Sequence, residues 1–296
     1  MVTAPDILCI GAVHWDIIGR SPARIGLGAD VPGRIIRRPG GVAMNVAASL
    51  RGFGLAPALL TAIGRDAEGE ELVAECRRLG LETAYVYRPD RLPTDCYVAV
   101  EGANGLIAAI ADARTLEAAG ARILRPLEDG RLGSAAAPWR GTVALDGNLP
   151  EELTAAIAAS PLFAAADLRL AAASPAKAER LRPFLGHGRA SFYLNLEEAE
   201  ALLGARAGSA PEAAEALTAR GAARALVTDG RRTAAAAEAG GVIAEAPPEV
   251  PVARVTGAGD TFMAAHIAAG WRGERGREAL ASALSAAAAH VAEAEA

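Results

Sequence analysis

The chain has 296 residues, of which 52% are hydrophobic and 22% charged, with a formal net charge of −5. That length and balance exclude a disordered chain and allow one large α/β domain or two ordinary ones. The acidic balance, with scattered arginines and Lys177 as the sole lysine, excludes a basic nucleic-acid surface.

Asp6 to Ile10 is a short apolar, β-branched run ending at Gly11, which predicts a buried parallel strand. From Asp16 to Arg38 glycines and prolines recur, so short strands and turns are expected there. A helical pattern opens behind Gly40-Gly41 and runs from Val42 to Phe53. A strand is predicted over 58–63 and an amphipathic helix over 68–79, closed by Gly80. Tyr97 to Ile110 reads as a hairpin turning at Ala103-Asn104-Gly105. Further on come a strand over 142–145 ending in Asp146-Gly147-Asn148, a helix over 150–159, a strand over 191–194, a helix over 196–203 and a strand over 225–228.

This alternation predicts an α/β fold, a mostly parallel sheet with helices on both faces. Two segments without an adjoining helix, at about 14–40 and 94–112, are expected to pair into a small β-lid over the open end of that sheet. No repeat and no linker divides the chain, so residues 1–296 read as one domain. Cys9, Cys76 and Cys96 lie far apart, and no Cys/His pair has metal-ligand spacing, which is the pattern of free buried thiols. With no basic leader and no long apolar run, the expected location is the cytoplasm, with no membrane partner.

The stretch of most chemical interest is Thr256-Gly257-Ala258-Gly259-Asp260, placed before an apolar helical run. Small residues let a backbone approach a ligand, and amides at a helix amino terminus point at an anion. By itself the segment fits two readings. Asp260 can be a helix cap on a glycine turn, or a carboxylate beside an amide nest that accepts a hydroxyl proton during phosphoryl transfer. The other common phosphate devices are missing: there is no GK[ST] loop and no GxGxxG after the first strand.

Over essentially its whole length the chain resembles the ribokinase-like (PfkB) carbohydrate kinases. Gly257-Ala258-Gly259-Asp260 matches that family's carboxy-terminal signature, and Arg38-Pro39-Gly40-Gly41-Val42-Ala43-Met44-Asn45 its amino-terminal one. The resemblance implies a ribokinase-like three-layer fold and transfer of a phosphoryl group from ATP to a sugar or nucleoside hydroxymethyl group. It implies Asp260 as catalytic base, with Gly257, Ala258 and Gly259 forming the anion hole. Asp16, Gly40, Gly41 and Asn45 would bind the sugar, and Asn195, Thr228, Gly230 and Thr256 would lie along the nucleotide. Asn195-Leu196-Glu197-Glu198 matches a motif that organises Mg²⁺, with Glu198 acting largely through water. The forms of residues 40–45, 110–113 and 255–260 resemble pseudouridine kinases most closely, which makes pseudouridine the expected acceptor. Ribose, fructose or adenosine kinases, or a catalytically silent nucleoside-binding regulator, are the alternatives.

Several residues depart from the family's pattern. Arg254 stands where many relatives carry an aspartate that helps bind an activating monovalent cation; an arginine there would repel a cation or occupy its place, which leaves potassium activation open. His14 stands where an asparagine is common, and Thr233 where a glycine is. The end at Ala283 to Ala296 is short for the family, from which altered nucleotide affinity or base selectivity is expected. Lys177, in Ser174-Pro175-Ala176-Lys177, reads as a lone surface lysine. Free edges of the lid strands are the expected route to a homodimer.

Overall fold

The structure, a computed structural model, describes residues 4–293. In chain order the elements are β1 (Ile7–Ile10), β2 (His14–Arg20), β3 (Arg34–Gly40), α1 (Val42–Gly52), β4 (Pro57–Leu60), α2 (Ala67–Arg78), β5 (Cys96–Gly102) and β6 (Gly105–Asp112). There follow α3 (Arg114–Ala119), β7 (Thr142–Asp146), α4 (Glu151–Ala159), β8 (Asp167–Ala171), α5 (Pro175–Ala178), β9 (Ala190–Asn195), α6 (Leu196–Leu203) and α7 (Ala210–Ala219). The chain finishes with β10 (Arg224–Asp229), β11 (Arg232–Glu238), β12 (Gly241–Glu245), α8 (Ala258–Trp271) and α9 (Gly276–Ala292).

Eight strands form the main sheet in the order β12-β11-β10-β9-β8-β7-β1-β4. From β10 to β4 every pairing is parallel, and only the β10-β11-β12 edge is antiparallel. The parallel strands are buried on both faces, which is why they read as continuous apolar runs. Side chains alternate across the sheet. Leu8 and Ile10 join the core beneath α3 to α7, while Ile7 and Cys9 join the core beneath α1, α2, α8 and α9. The result is the three-layer α/β arrangement expected, with helices covering both faces.

Helix α8 is apolar on all sides, and Thr261 through Ala269 are buried without interruption. A helix of this composition is stable only as an interior element. Here it lies between α1, α9 and the sheet.

The second sheet has four strands in the order β3-β2-β5-β6 and is built from the two segments expected to pair. Its central contact, β2 with β5, is parallel, joining segments far apart in sequence. Strand β6 is exposed along nearly its whole length, and Leu106, Ile107 and Ile110 stand in solvent with Ile35, Val98 and Val100.

Three expectations need correction. Strand β8 and the β11-β12 hairpin were not anticipated. Asp167-Leu168-Arg169 alternates polar and apolar residues in a strand too short to signal itself, and the Ala234–Ala237 run has helical propensity that sheet pairing overrides. The strand expected over 58–63 ends at Leu60, after which Ala62 makes only an isolated bridge to Tyr87. The thiols are free as expected, with Cys9 and Cys76 buried and Cys96 half-buried.

Candidate active site

The site residues collect at the carboxyl ends of the parallel strands, where α/β sheets present open backbone to a ligand. The chain leaves β1 through Gly11-Ala12 and meets the start of α1. Gly41 caps α1 at φ 96°, and a Cβ there would overlap the Ala12 carbonyl. A Cβ on Gly40 would instead overlap the Asp16 carboxylate. The glycine pair therefore serves two approaches, one to main chain and one to a side chain.

Asp16 lies on β2 and is buried. Its Oδ1 is 3.3 Å from His14 Nδ1, outside hydrogen-bonding geometry, and its Oδ2 is 4.0 Å from Arg38 Nε. One turn into α1, Asn45 Nδ2 donates to Asp260 Oδ2 at 2.9 Å. The two signature segments, 215 residues apart in sequence, are thus in direct contact.

Helix α8 begins behind Gly257, which caps it at φ 85° with no side-chain capping bond. The Ala258 amide turns back to the Val255 carbonyl at 3.2 Å. The Gly259 and Asp260 amides have no partner among the described residues and, with the helix dipole, leave an anion-attracting turn. Asp260 is therefore not the cap; it stands one turn in, with its carboxylate turned to Asn45. Burial pushes its carboxyl up to about 7. The Asn45 bond opposes that shift, and the charges of Asp146, Glu198 and Asp16 add to it. A carboxylate so tuned can take a proton near neutral pH.

Asp146, at the end of β7, is the buried group that sequence reading noted without assigning a role. It accepts from the amides of Ala12 at 2.8 Å and Asn148 at 2.7 Å, and burial raises its pKa. It fastens the β1 and β7 loops together under Asp260. The strand-end aspartate before a glycine was the available signal. Nearby, Lys177 Nζ donates to Asn148 Oδ1 at 2.6 Å. Lys177 is half-buried, and desolvation followed by the Arg180 charge lowers its pKa, so it is not a lone surface lysine.

On the other side, Asn195 and Thr228 are paired residues at the ends of β9 and β10, and Gly230 makes the following turn at φ 57°. Asn195 and Glu198 form a capping box: Asn195 Oδ1 accepts from the Glu198 amide at 2.8 Å, and Glu198 Oε2 from the Asn195 amide at 2.9 Å. Glu198 is buried, and burial pushes its carboxyl up to about 7. Among the described residues no group of three or more His, Cys, Asp or Glu side chains could hold a metal ion alone.

The carboxy-terminal helix closes the site in a way the sequence did not reveal. His290 of α9 donates from Nε2 to the Thr256 carbonyl at 2.9 Å, and its Nδ1 lies 3.1 Å from Arg254 Nη2 and 3.2 Å from Thr261 Oγ1. Arg254 in turn donates from Nε to the His290 carbonyl at 3.0 Å and from Nη2 to Glu293 at 2.9 Å. The pair clamps the 254–257 turn onto α9, so Arg254 does not project freely into solvent.

Residues 4–296 match the family described as pfkB family carbohydrate kinase. A curated relative, the uncharacterized sugar kinase YeiI of Escherichia coli (strain K12), is 34% identical over 109 residues, which is 36% of this chain and 30% of that protein. Among solved structures, a carbohydrate kinase from Agrobacterium tumefaciens is 28% identical with a TM-score of 0.79, covering 95% of this chain and 89% of its own. A ribokinase from Thermotoga maritima, 20% identical, shares the fold with a TM-score of 0.80 over 98% of this chain and 93% of its own.

Proposed function

The chain belongs to the pfkB family of carbohydrate kinases, and from that premise we propose that it transfers the γ-phosphoryl group of ATP to the hydroxymethyl oxygen of a sugar or nucleoside. The observation that carries this reading is the Asp260 carboxylate. It is held by Asn45, raised toward neutrality and placed beside two unpartnered amides at the start of α8. The acceptor oxygen attacks the γ-phosphorus, Asp260 takes the hydroxyl proton, and ADP departs. The Gly259 and Asp260 amides receive charge on the transferring phosphoryl oxygens, with Gly257 and Ala258 shaping the turn.

Asp16 and Asn45 offer acceptors and a donor suited to the hydroxyls of a sugar, and Gly40 and Gly41 allow the close approaches that set Asp16 and the start of α1 in place. The small sheet, which carries Asp16, would exclude water once a sugar is bound. Asn195, Thr228 and Gly230 are assigned to the nucleotide side on the strength of their shared sheet edge, and Thr256 because it stands in the turn that opens α8. Glu198, which uses Oε2 in the capping box, would help hold a Mg²⁺ ion brought with the nucleotide, and that ion would neutralise phosphate charge. Arg254 is already engaged with the His290 carbonyl and the Glu293 carboxylate at the end of α9, and this supports a site that works without a monovalent cation. Pseudouridine is the acceptor we favour, on the form of residues 40–45, 110–113 and 255–260.

The test is ADP release from Mg-ATP with pseudouridine, uridine, adenosine, ribose and fructose. Turnover confined to pseudouridine supports the full reading. Turnover on another acceptor keeps the chemistry and removes the substrate. No turnover with folded protein favours a silent binding role.

A further inference from the structure

A cavity of about 410 Å³ opens at the opposite end of the sheet from Asp260, where Thr142 starts β7, Asp167 starts β8 and Arg224 starts β10. The carboxyl end of α8 and the amino end of α9 complete its wall. The lining residues of α8 run from His266 to Trp271, about 9 to 16 Å along the helix from Asp260, and with the amino ends of the strands they place this cavity apart from the proposed active site. Its volume falls within the range of small-molecule sites.

His266 lines it and is only 8% exposed. Arg169 Nη1 donates to the Tyr193 hydroxyl oxygen at 2.9 Å, and that hydroxyl is 2.8 Å from His266 Nδ1. The hydroxyl hydrogen has no other acceptor among the described residues, so it goes to Nδ1 and leaves the imidazole hydrogen on Nε2. Nε2–H is then a donor with no partner among the described residues, on a side chain that lines the cavity. Burial pushes the pKa of His266 down to about 3, with the charges of Arg169, Arg224 and Arg275 adding to the shift, so the ring is neutral and sits in a positive field.

The amino terminus of α9 reaches the same cavity through Gly276 and Ala279, and Arg275 before it supplies no side-chain cap. An uncapped helix start attracts negative charge. The acids in the wall are already engaged: Asp167 with Arg169, Glu238 with Arg224 at 3.0 Å, and Glu274 with Arg272 and Ser282. Arg275 uses Nη1 on backbone carbonyls of Gly270 and Glu274. Ile243, Ile267 and the half-exposed Trp271 ring supply an apolar side.

We propose that this cavity is a second ligand site for a small organic anion. Its carboxylate or phosphate meets His266 Nε2–H, the first turn of α9 and the guanidinium groups of Arg224 and Arg275, while its apolar part lies against Ile243, Ile267 and Trp271. The site does not depend on the reaction assigned above.

The experiment is titration of the full chain with phenyl phosphate, benzoate and neutral benzyl alcohol, following tryptophan fluorescence and subtracting the same titration of Trp271→Phe. A saturable Trp271 signal is expected with at least one of the anions and not with the alcohol; which anion binds tells phosphate from carboxylate. Arg275→Gln and Arg224→Gln, both at the protein surface, should each weaken binding about tenfold. His266→Phe should abolish binding, and His266→Gln, which keeps an N–H donor, should retain part of it. No saturable signal from either anion, an equal response to benzyl alcohol, or unchanged affinity in both arginine variants would each overturn the proposal. Unmodified protein and the two surface variants decide the matter even if the buried His266 variants do not fold.

Discussion

Replacing Asp260 by Asn changes one atom's chemistry and little else. The amide oxygen introduced by Asp260→Asn can still accept from Asn45 Nδ2, so the 2.9 Å link between α1 and α8 is expected to survive. What is lost is the proton acceptor. General-base removal costs about 10²–10⁴-fold, so kcat should fall about 10³-fold, equal to about 4 kcal/mol of transition-state stabilisation, with KM for both substrates nearly unchanged. Because burial pushes the Asp260 carboxyl up to about 7, kcat/KM of the unmodified enzyme should rise with pH through neutrality. The Asp260→Asn variant should lack that limb.

The same shift makes a prediction about folding. A carboxyl raised in the native state holds a proton that the unfolded chain has released, so between about pH 4 and 7 stability falls as pH rises. The Asp260→Asn variant avoids that loss. Cleft water reaches the half-buried carboxylate, so the gain is discounted to about 1–2 kcal/mol at pH 8, shrinking toward pH 4. Steady-state assays from pH 5 to 9 and urea unfolding at pH 4 and 8 check both claims. A variant with near-normal kcat, or one losing turnover and sugar binding together, would refute the assignment of Asp260 as base.

Glu198→Gln preserves the cap to Asn195 and removes the charge, so the Mg²⁺ concentration for half-maximal rate should rise about tenfold, read by magnesium titration at fixed ATP. Activity should be the same in potassium and tetramethylammonium salts, because the Arg254 guanidinium ties the turn to the His290 carbonyl and Glu293 carboxylate of α9; a strong potassium requirement would show that it does not replace the ion. Gly41→Ala should cost more than about 1 kcal/mol, since φ 96° strains any side chain and the added Cβ would overlap the Ala12 carbonyl; urea unfolding measures it. Through the exposed Leu106, Ile107 and Ile110 of the small sheet the chain should sediment as a dimer, and Ile110→Glu should shift it toward monomer.

Alternating strand and helix signals determined the layered α/β class, because apolar runs in buried parallel strands and glycine stops at helix ends are local facts. The two glycine signatures marked Asp260 and Asn45 for a similar reason: close backbone approaches demand glycine wherever the rest of the fold lies. Sequence could also identify Asp146 and Lys177 as residues but not what they touch. Only tertiary structure placed Asn45 against Asp260, made Gly257 rather than Asp260 the cap of α8, and drew Lys177 onto Asn148. It also joined His290 to Arg254 and His266 to Tyr193, pairs separated by 36 and 73 positions. Strands β11 and β12 were hidden because an alanine run carries no period, and pairing with β10 decides its conformation. Local propensity and spacing act over a few residues, whereas the charge state of Asp260 is set by burial and by three carboxylates from distant segments, which meet only when the chain is folded.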